Sequence, residues 1–183
     1  MLKNDRWIIE QAKAYRMIEP FEPKLVSKGI SFGESSYGYD FRISDEFQVF
    51  KGNPSEVPLD PKHPDPSNFE PVKKTVLTLP ANTYALGRTI EYFRIPRNIL
   101  TICFGKSTYA RCGVMMNITP FEPEWEGYAT IAIINTASRP VKIYSGEGIA
   151  QLLFLEASEG CETSYADRKG KYNKQQQITL SKI

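Results

Sequence analysis

The sequence predicts a mainly β fold, a sandwich or barrel with one or two helices on its edge. Short apolar or alternating runs recur along most of the 183 residues, and Gly, Pro and Asn separate them. A long stretch with helical spacing occurs only at the N-terminus. The length fits a single domain, 1–183, with enough chain to bury a core.

The predicted helix lies at the start of the chain. Asn4 or Asp5 is a suitable N-cap, and apolar residues recur at roughly helical spacing up to Tyr15, ahead of Pro20. Residues 51–74 are rich in proline and aspartate and have no periodic apolar face, which predicts a long surface loop. The predicted strands are 36–44, 46–50, 75–79, 83–93, 98–104, 127–134, 141–144 and 149–156.

Composition limits the function classes. Lys and Arg number 23 against 21 Asp and Glu, so the net charge of +2 indicates neither a nucleic-acid partner nor a membrane surface. The three cysteines, Cys103, Cys112 and Cys161, form no CxxC pair, which is typical of a reducing compartment. Charges interrupt the N-terminus where a signal peptide needs an apolar core, and no run reaches membrane-spanning length. We expect a soluble, cytoplasmic protein.

The richest functional signal lies in residues 104–136. Gly105 opens a cationic and hydroxyl cluster in which Ser107 and Arg111 are four apart and share one face of a short helix. Free amides at a helix start, beside Lys106 and hydroxyls, favour phosphate oxygens. A P-loop is excluded, because its first glycine would fall at Leu100. A surface helix with ordinary polar residues is the alternative.

A carboxylate-rich loop and a strand follow this cluster. Glu122, Glu124 and Glu126 surround Trp125, and a β-type run extends through Ile134. A phosphate cradle, an aromatic loop and a strand together indicate a nucleotide pocket.

The C-terminal segment, 160–183, has few apolar residues before Ile178. Its composition favours a frayed terminus. The alternative is a flexible lid that closes over an anionic ligand with Tyr165, Arg168, Lys171 and Gln175.

An ordered set of segments resembles the dCTP deaminase family, which is related in fold to the trimeric dUTP pyrophosphatases. The segments are GKSTYARCGV, TPFEPEWEG, a strand leading to NTA, GEGIAQLLF and SYADRKGKY, and the similarity runs from about Tyr37 to the C-terminus. It implies a distorted β-barrel or jelly roll of the dUTP pyrophosphatase-like type, with a short N-terminal helix and a short active-site helix. It also implies a homotrimer with active sites between subunits, and a flexible lid over 160–183.

The resemblance implies hydrolytic deamination of dCTP to dUTP and ammonia without zinc. Zinc deaminases need H-x-E and P-C-x-x-C ligands, whereas His63 lies in the proline-rich loop and the cysteines are scattered. The family instead uses a glutamate to move protons. Mg²⁺ enters with the triphosphate, and dTTP is a candidate feedback inhibitor.

The family's site residues transfer to matching positions. Ser107 would act near the attacking water, and Arg111 would balance charge beside the catalytic carboxylate. A buried amide satisfied by backbone is a comparable interpretation for Gln151. The implied nucleotide-binding positions are Lys106, Ser107, Thr108, Tyr109, Ala110, Arg111, Thr119, Pro120, Thr130, Ile131, Ala132, Gln151, Tyr165, Lys171 and Gln175.

One departure matters most: Ala132 occupies the position of the family's general-base glutamate. Loss of a general base lowers the rate by ~10²–10⁴-fold or more. Either a deliberate Glu-to-Ala replacement or a natural binding-only relative explains it, and the otherwise intact pattern favours the first. A smaller departure is KYNKQQQ in the tail, where the family has a glycine. A dUTP pyrophosphatase-like hydrolase and a non-catalytic nucleotide sensor remain alternatives.

Overall fold

Eleven β-strands and two short α-helices make up the fold in a computed structural model that describes residues 1–52 and 57–182. The mainly β prediction is confirmed. The elements are α1 (Asp5–Tyr15), β1 (Ile18–Glu19), β2 (Gly33–Ser35), β3 (Gly38–Phe50), a 3-10 helix (Pro66–Asn68), β4 (Phe69–Lys73), β5 (Val76–Leu79), β6 (Thr83–Arg94), β7 (Ile99–Gly105), α2 (Ser107–Ala110), β8 (Val114–Asn117), β9 (Glu126–Asn135), β10 (Val141–Tyr144) and β11 (Gly148–Glu156).

One antiparallel sheet organises the chain. Its main path runs β7-β11-β3-β6-β9-β8, with β1 added to β6 and with β2 and β4 added to β3. The two end strands of this path, β7 and β8, contact each other, and Gly105 packs against the side chain of Met116. The sheet is therefore nearly closed into a barrel. The pair β5 and β10 forms a second, small sheet.

Helix α1 begins where the sequence predicts. The Asn4 side chain accepts a hydrogen bond from Trp7 N at 3.2 Å, which caps the first turn. Arg16 ends the helix in a left-handed conformation at φ 53°, and Ile8 and Ala12 are the residues it buries. No helix in the described part of the chain is long and apolar enough to cross a membrane.

The structure differs from the predicted elements around β3. The runs predicted at 36–44 and 46–50 are one strand, because an irregularity between Ile43 and Phe47 lets it keep pairing with β6. The predicted loop at 51–74 was wrong at its end, where β4 pairs with β3 and Phe69 packs edge-on against Phe50. Residues 53–56 of that loop lie outside the described residues. Three short strands, β1, β2 and β8, were not predicted, since two to four residues show no usable period.

Strand β9 separates the core from the site. Ile131 and Ile133 are fully buried in the core, whereas Thr130 and Ala132 lie on the opposite face of the strand. Aromatic rings extend the core towards the loop before β9: Phe121 lies 5.4 Å from Phe93 and 4.6 Å from Trp125 between ring centroids. The outward face of β9 therefore stands on a packed support.

Candidate functional site

A cavity of about 700 Å³ lies on the outward face of β9. Its walls come from β6, β7, β8, β9, the 117–122 segment and the C-terminal tail, and its volume suits a small-molecule ligand. The structure brings together here seven of the predicted site positions: Thr119, Pro120, Thr130, Ala132, Tyr165, Lys171 and Gln175.

Ala132 occupies the middle of the cavity wall. Its cross-strand partners are Leu86 on β6 and Asn117 on β8, and both line the cavity. Glu122 is the one carboxylate among the described lining residues, and it forms an ion pair with Arg168. A methyl group therefore stands at this point of the cavity wall, and the lining carboxylate is part of an ion pair.

Ile131 lies next to this wall but points away from it. Its side chain is fully buried in the core, on the face of β9 opposite Thr130 and Ala132. Contact between Ile131 and a ligand in this cavity would therefore have to come from its backbone.

The C-terminal tail packs along β9. Tyr128 N donates to Gln175 O at 2.9 Å, and Gln175 Nε2 donates to Tyr128 O at 2.8 Å and to Thr130 Oγ1 at 2.6 Å. Thr179 N donates to the same Thr130 oxygen at 3.1 Å. Gly127, at φ 146°, permits this approach, because a Cβ there would lie 2.9 Å from Gln175 N.

A second group of contacts fixes the start of the tail. Trp125 Nε1 donates to Tyr172 O at 3.0 Å, and Tyr172 N donates to Tyr165 Oη at 3.0 Å. Gly170 lies directly against the Tyr165 ring, where a Cβ would overlap it. The segment 165–179 thus forms one wall of the cavity in this arrangement.

The predicted phosphate cradle lies elsewhere. Residues 106–111 do not line the cavity, although α2 forms where the short helix was predicted. Arg111 Nη1 donates to Ser107 O at 2.9 Å, so the two lie together as expected, and both side chains are exposed, as are Thr108 and Ala110. Within one chain, the cradle and the cavity are separate features.

Two members of the 106–111 segment have structural partners. Lys106 Nζ pairs with Asp40 Oδ2 at 2.6 Å and donates to Ser31 Oγ at 2.8 Å, which leaves 13% of its side chain exposed. Tyr109 is buried, its Oη accepts a hydrogen bond from Tyr144 N at 3.0 Å, and burial raises the pKa of Tyr109 to about 12. Both side chains anchor α2 to the sheet.

Gln151 also lies outside the cavity. It stands on β11, half-buried, and its Nε2 donates to Ser35 Oγ at 3.1 Å. This contact is structural, but the amide is half-buried and its partner is a serine hydroxyl, not the backbone that the buried-amide interpretation expects. Its cross-strand partner Phe104 belongs to an exposed apolar surface near α2.

That apolar surface involves the two end strands of the sheet. Phe104 is 58% and Met115 61% exposed, and Leu100 is exposed on the same face of β7 as Phe104. Large apolar side chains grouped beside a polar helix are typical of a protein contact surface.

Sequence reasoning missed several cavity residues. Leu86, Asn117 and Thr179 line the cavity and are not among the predicted site positions. Only the register of β6, β8 and β9 identifies Leu86 and Asn117, and a period-2 pattern does not give register.

The barrel-like sheet and this cavity define a β-barrel protein whose small-molecule pocket is partly walled by its own C-terminal tail. A family model described as dCTP deaminase-like matches residues 2–157. The chain therefore belongs to the dCTP deaminase-like family, and the predicted resemblance is confirmed.

Proteins similar in sequence match this chain over nearly its full length. A dCTP deaminase of Nitrosomonas eutropha is 56% identical over 187 residues, covering 100% of this chain and 99% of the relative. A dCTP deaminase of Neisseria gonorrhoeae is 53% identical over 186 residues, covering 99% of this chain and 98% of the relative.

Among solved structures, 2'-deoxycytidine 5'-triphosphate deaminase from Agrobacterium tumefaciens superposes with a TM-score of 0.63 at 12% identity. The match covers 85% of this chain and 47% of that one. At this identity the likeness shows the fold.

Proposed function

We propose that this chain binds dCTP in the cavity on β9, and that its fold is built for hydrolytic deamination of dCTP to dUTP and ammonia. The curated relatives named dCTP deaminase support the substrate, because they are more than 50% identical over nearly the full length. Turnover by this chain itself is close to background.

The low turnover that we propose rests on the alanine at position 132. A general base has to be within hydrogen-bond reach of the proton it removes, and a methyl group has no acceptor. Leu86 and Asn117 flank Ala132, and neither is a base at neutral pH. Glu122 is held by Arg168. The expected reduction in rate is ~10²–10⁴-fold or more.

A homotrimer would complete the site. Ser107 and Arg111 are exposed and lie outside the cavity of their own chain, so they are free to reach the cavity of a neighbouring subunit. The exposed Phe104 and Met115 lie on the end strands near α2 and would be buried in such an interface. In that assembly Arg111 would lie beside position 132 and balance the charge of a carboxylate there.

The tail would supply the phosphate contacts within one chain. Lys171 lines the cavity, and Tyr165 and Gln175 position the tail around it. Mg²⁺ would accompany the triphosphate, because among the described lining residues Glu122 is the one carboxylate and it is already paired with Arg168. Tail closure over dCTP would exclude water that is not part of the reaction.

A nucleotide sensor is the second candidate, and the same alanine favours it. A chain that keeps the cavity, the tail and α2 but carries a methyl group at the reacting position would bind dCTP without consuming it. Binding and turnover separate cleanly in such a site, because the phosphate contacts come from residues other than Ala132.

The test is to incubate the protein with dCTP or dUTP and Mg²⁺, separate the products, and measure affinity by calorimetry. We expect dCTP to bind and dUTP formation to stay near background. Formation of dUMP and pyrophosphate from dUTP would replace the proposal with a pyrophosphatase. Failure to bind dCTP would refute the proposal together with the sensor alternative.

A further inference from the structure

The last described residue returns to the start of the tail. Lys182 N donates to Tyr172 Oη at 3.0 Å, and Lys182 Nζ donates to Lys171 O at 3.3 Å. Lys171 Nζ in turn bonds to Lys182 O. These contacts close residues 171–182 into a clasp, and Thr179 inside it is bonded to Thr130 on the cavity wall.

The clasp brings two ammonium groups to one aromatic ring. Lys171 Nζ lies 5.5 Å and Lys182 Nζ lies 5.9 Å from the centroid of the Tyr172 ring. Lys171 and Tyr172 both line the cavity, and Lys182 is held against this edge of it by its bonds to the same two residues. Within residues 1–52 and 57–182, no carboxylate forms an ion pair with either lysine.

Two ammonium groups that contact one ring, neither of them paired with a carboxylate of the described residues, favour the binding of an anion. Like charges brought to one ring repel each other, and the ring face offsets only part of that cost. The carboxylate at this cavity, Glu122, is used by Arg168. A ligand with several negative charges would convert the repulsion into attraction, because it could contact both ammonium groups at once.

We infer that Lys182 is a further ligand-binding residue, which acts with Lys171 to hold the polyphosphate chain of the bound nucleotide. A chain of two or three phosphates can contact both ammonium groups at once, whereas a single phosphate next to the nucleoside is less able to do so. Lysine suits this task as a mobile point charge, whereas a planar arginine imposes one geometry. The inference rests on the proposed function for the nucleoside part of the ligand, but the cation pair itself requires only polyphosphate.

The clasp also links phosphate binding to the tail. In the closed arrangement Lys182 bonds to Tyr172 while Thr179, which lies between them in the chain, bonds to Thr130. An anion held by Lys171 and Lys182 therefore binds the protein with its tail closed more tightly than the protein with its tail open. The ratio of these two affinities sets how far the anion shifts the tail towards the closed state. Tri- and diphosphates should close the tail more than a monophosphate.

The test compares Lys182→Gln with Lys174→Gln, a matched control on the same tail. Lys174 is exposed, lies 3.5 Å from Glu126, and does not line this cavity. Calorimetry with dCMP, dCDP, dCTP and inorganic tripolyphosphate, at low and high salt, measures each affinity. Lys182→Gln should weaken dCTP and tripolyphosphate about 3- to 10-fold at low salt and less at high salt, and it should leave dCMP unchanged. Lys174→Gln should match the parent throughout.

The other outcomes decide whether Lys182 binds phosphate. Equal affinities of parent and Lys182→Gln for tripolyphosphate would refute a phosphate role for Lys182. An equal loss for dCMP and dCTP would also refute it, since Lys182 would then act on the tail alone. If the parent binds tripolyphosphate and no deoxycytidine nucleotide, the proposed function fails. The tripolyphosphate affinities of the parent and of Lys182→Gln still test the role of Lys182. If the parent binds neither, both fail.

Discussion

Gly127→Ala should release the C-terminal tail from β9 while leaving the sheet folded. Gly127 has φ 146°, and a Cβ there would lie 2.9 Å from Gln175 N and 3.1 Å from Gln175 O. An L-residue in this region of φ is strained, and both contact atoms belong to backbone, so no side-chain rotation relieves the overlap. Movement of the tail away from β9 is the available response.

The size of the effect follows from the contacts that would be lost. They are the hydrogen bonds from Tyr128 N to Gln175 O and from Gln175 Nε2 to Tyr128 O, at 2.9 and 2.8 Å. A net ~1 kcal/mol for each of the two bonds, together with ~1–2 kcal/mol of backbone strain, shifts the closed-to-open equilibrium by about 3–4 kcal/mol. That corresponds to roughly 150- to 900-fold more open tail.

Amide hydrogen exchange measured by mass spectrometry tests this prediction. The Gly127→Ala variant should exchange faster across 165–180 and at the same rate in β3 and β6, and its dCTP affinity should fall. Gly146→Ala is the control, because Gly146 also has a positive φ, 81°, but a Cβ there meets nothing within 4 Å. If the tail in Gly127→Ala stays as protected as in the parent, the backbone contact at Gly127 does not hold the tail, and the reasoning is wrong.

Two further predictions concern assembly and pH. Phe104→Asp places a charge on the exposed apolar surface. Analytical ultracentrifugation should therefore show the parent as a trimer and the variant as a monomer. A parent that is itself monomeric would contradict the proposed interface. The pKa of Asp167 is lowered because its carboxylate accepts a hydrogen bond from Ser164 N at 3.0 Å and pairs with Arg97 at 2.9 Å. A lowered folded-state pKa gives stabilisation that is present above the ordinary value and lost as pH falls through the lowered one, so the Ser164 amide signal in an NMR titration should change only below about pH 4. A change centred at or above the ordinary Asp value would refute this.

The sequence was sufficient for most of the fold and for one wall of the site. The alternation of β9 puts Thr130 and Ala132 on one face and buries Ile131 and Ile133 on the other, and the structure shows that arrangement. The cap of α1 at Asn4 likewise follows from local chemistry that acts over a few residues. Short-range rules predict such features because the interacting groups are neighbours in the chain.

The rest depends on groups far apart in sequence. Lys106 pairs with Asp40, 66 residues away, so the lysine of the predicted cradle has an intramolecular partner that no local pattern reveals. Trp125 bonds to Tyr172 across 47 residues, and this contact joins the loop to the tail. Strand register and tail docking arise from tertiary packing, which overrides the composition that favoured a frayed terminus.

The most direct measurement is the rate of ammonia release from dCTP by Ala132→Glu beside Ala132→Gln. The two side chains have nearly the same size and both would extend into the cavity that Ala132 lines, but only glutamate can accept the proton of water. We expect Ala132→Glu to raise the rate by ~10²–10⁴-fold or more over the parent while dCTP affinity changes far less, and Ala132→Gln to stay at background. A folded Ala132→Glu protein that binds dCTP and releases no ammonia would contradict the deaminase assignment.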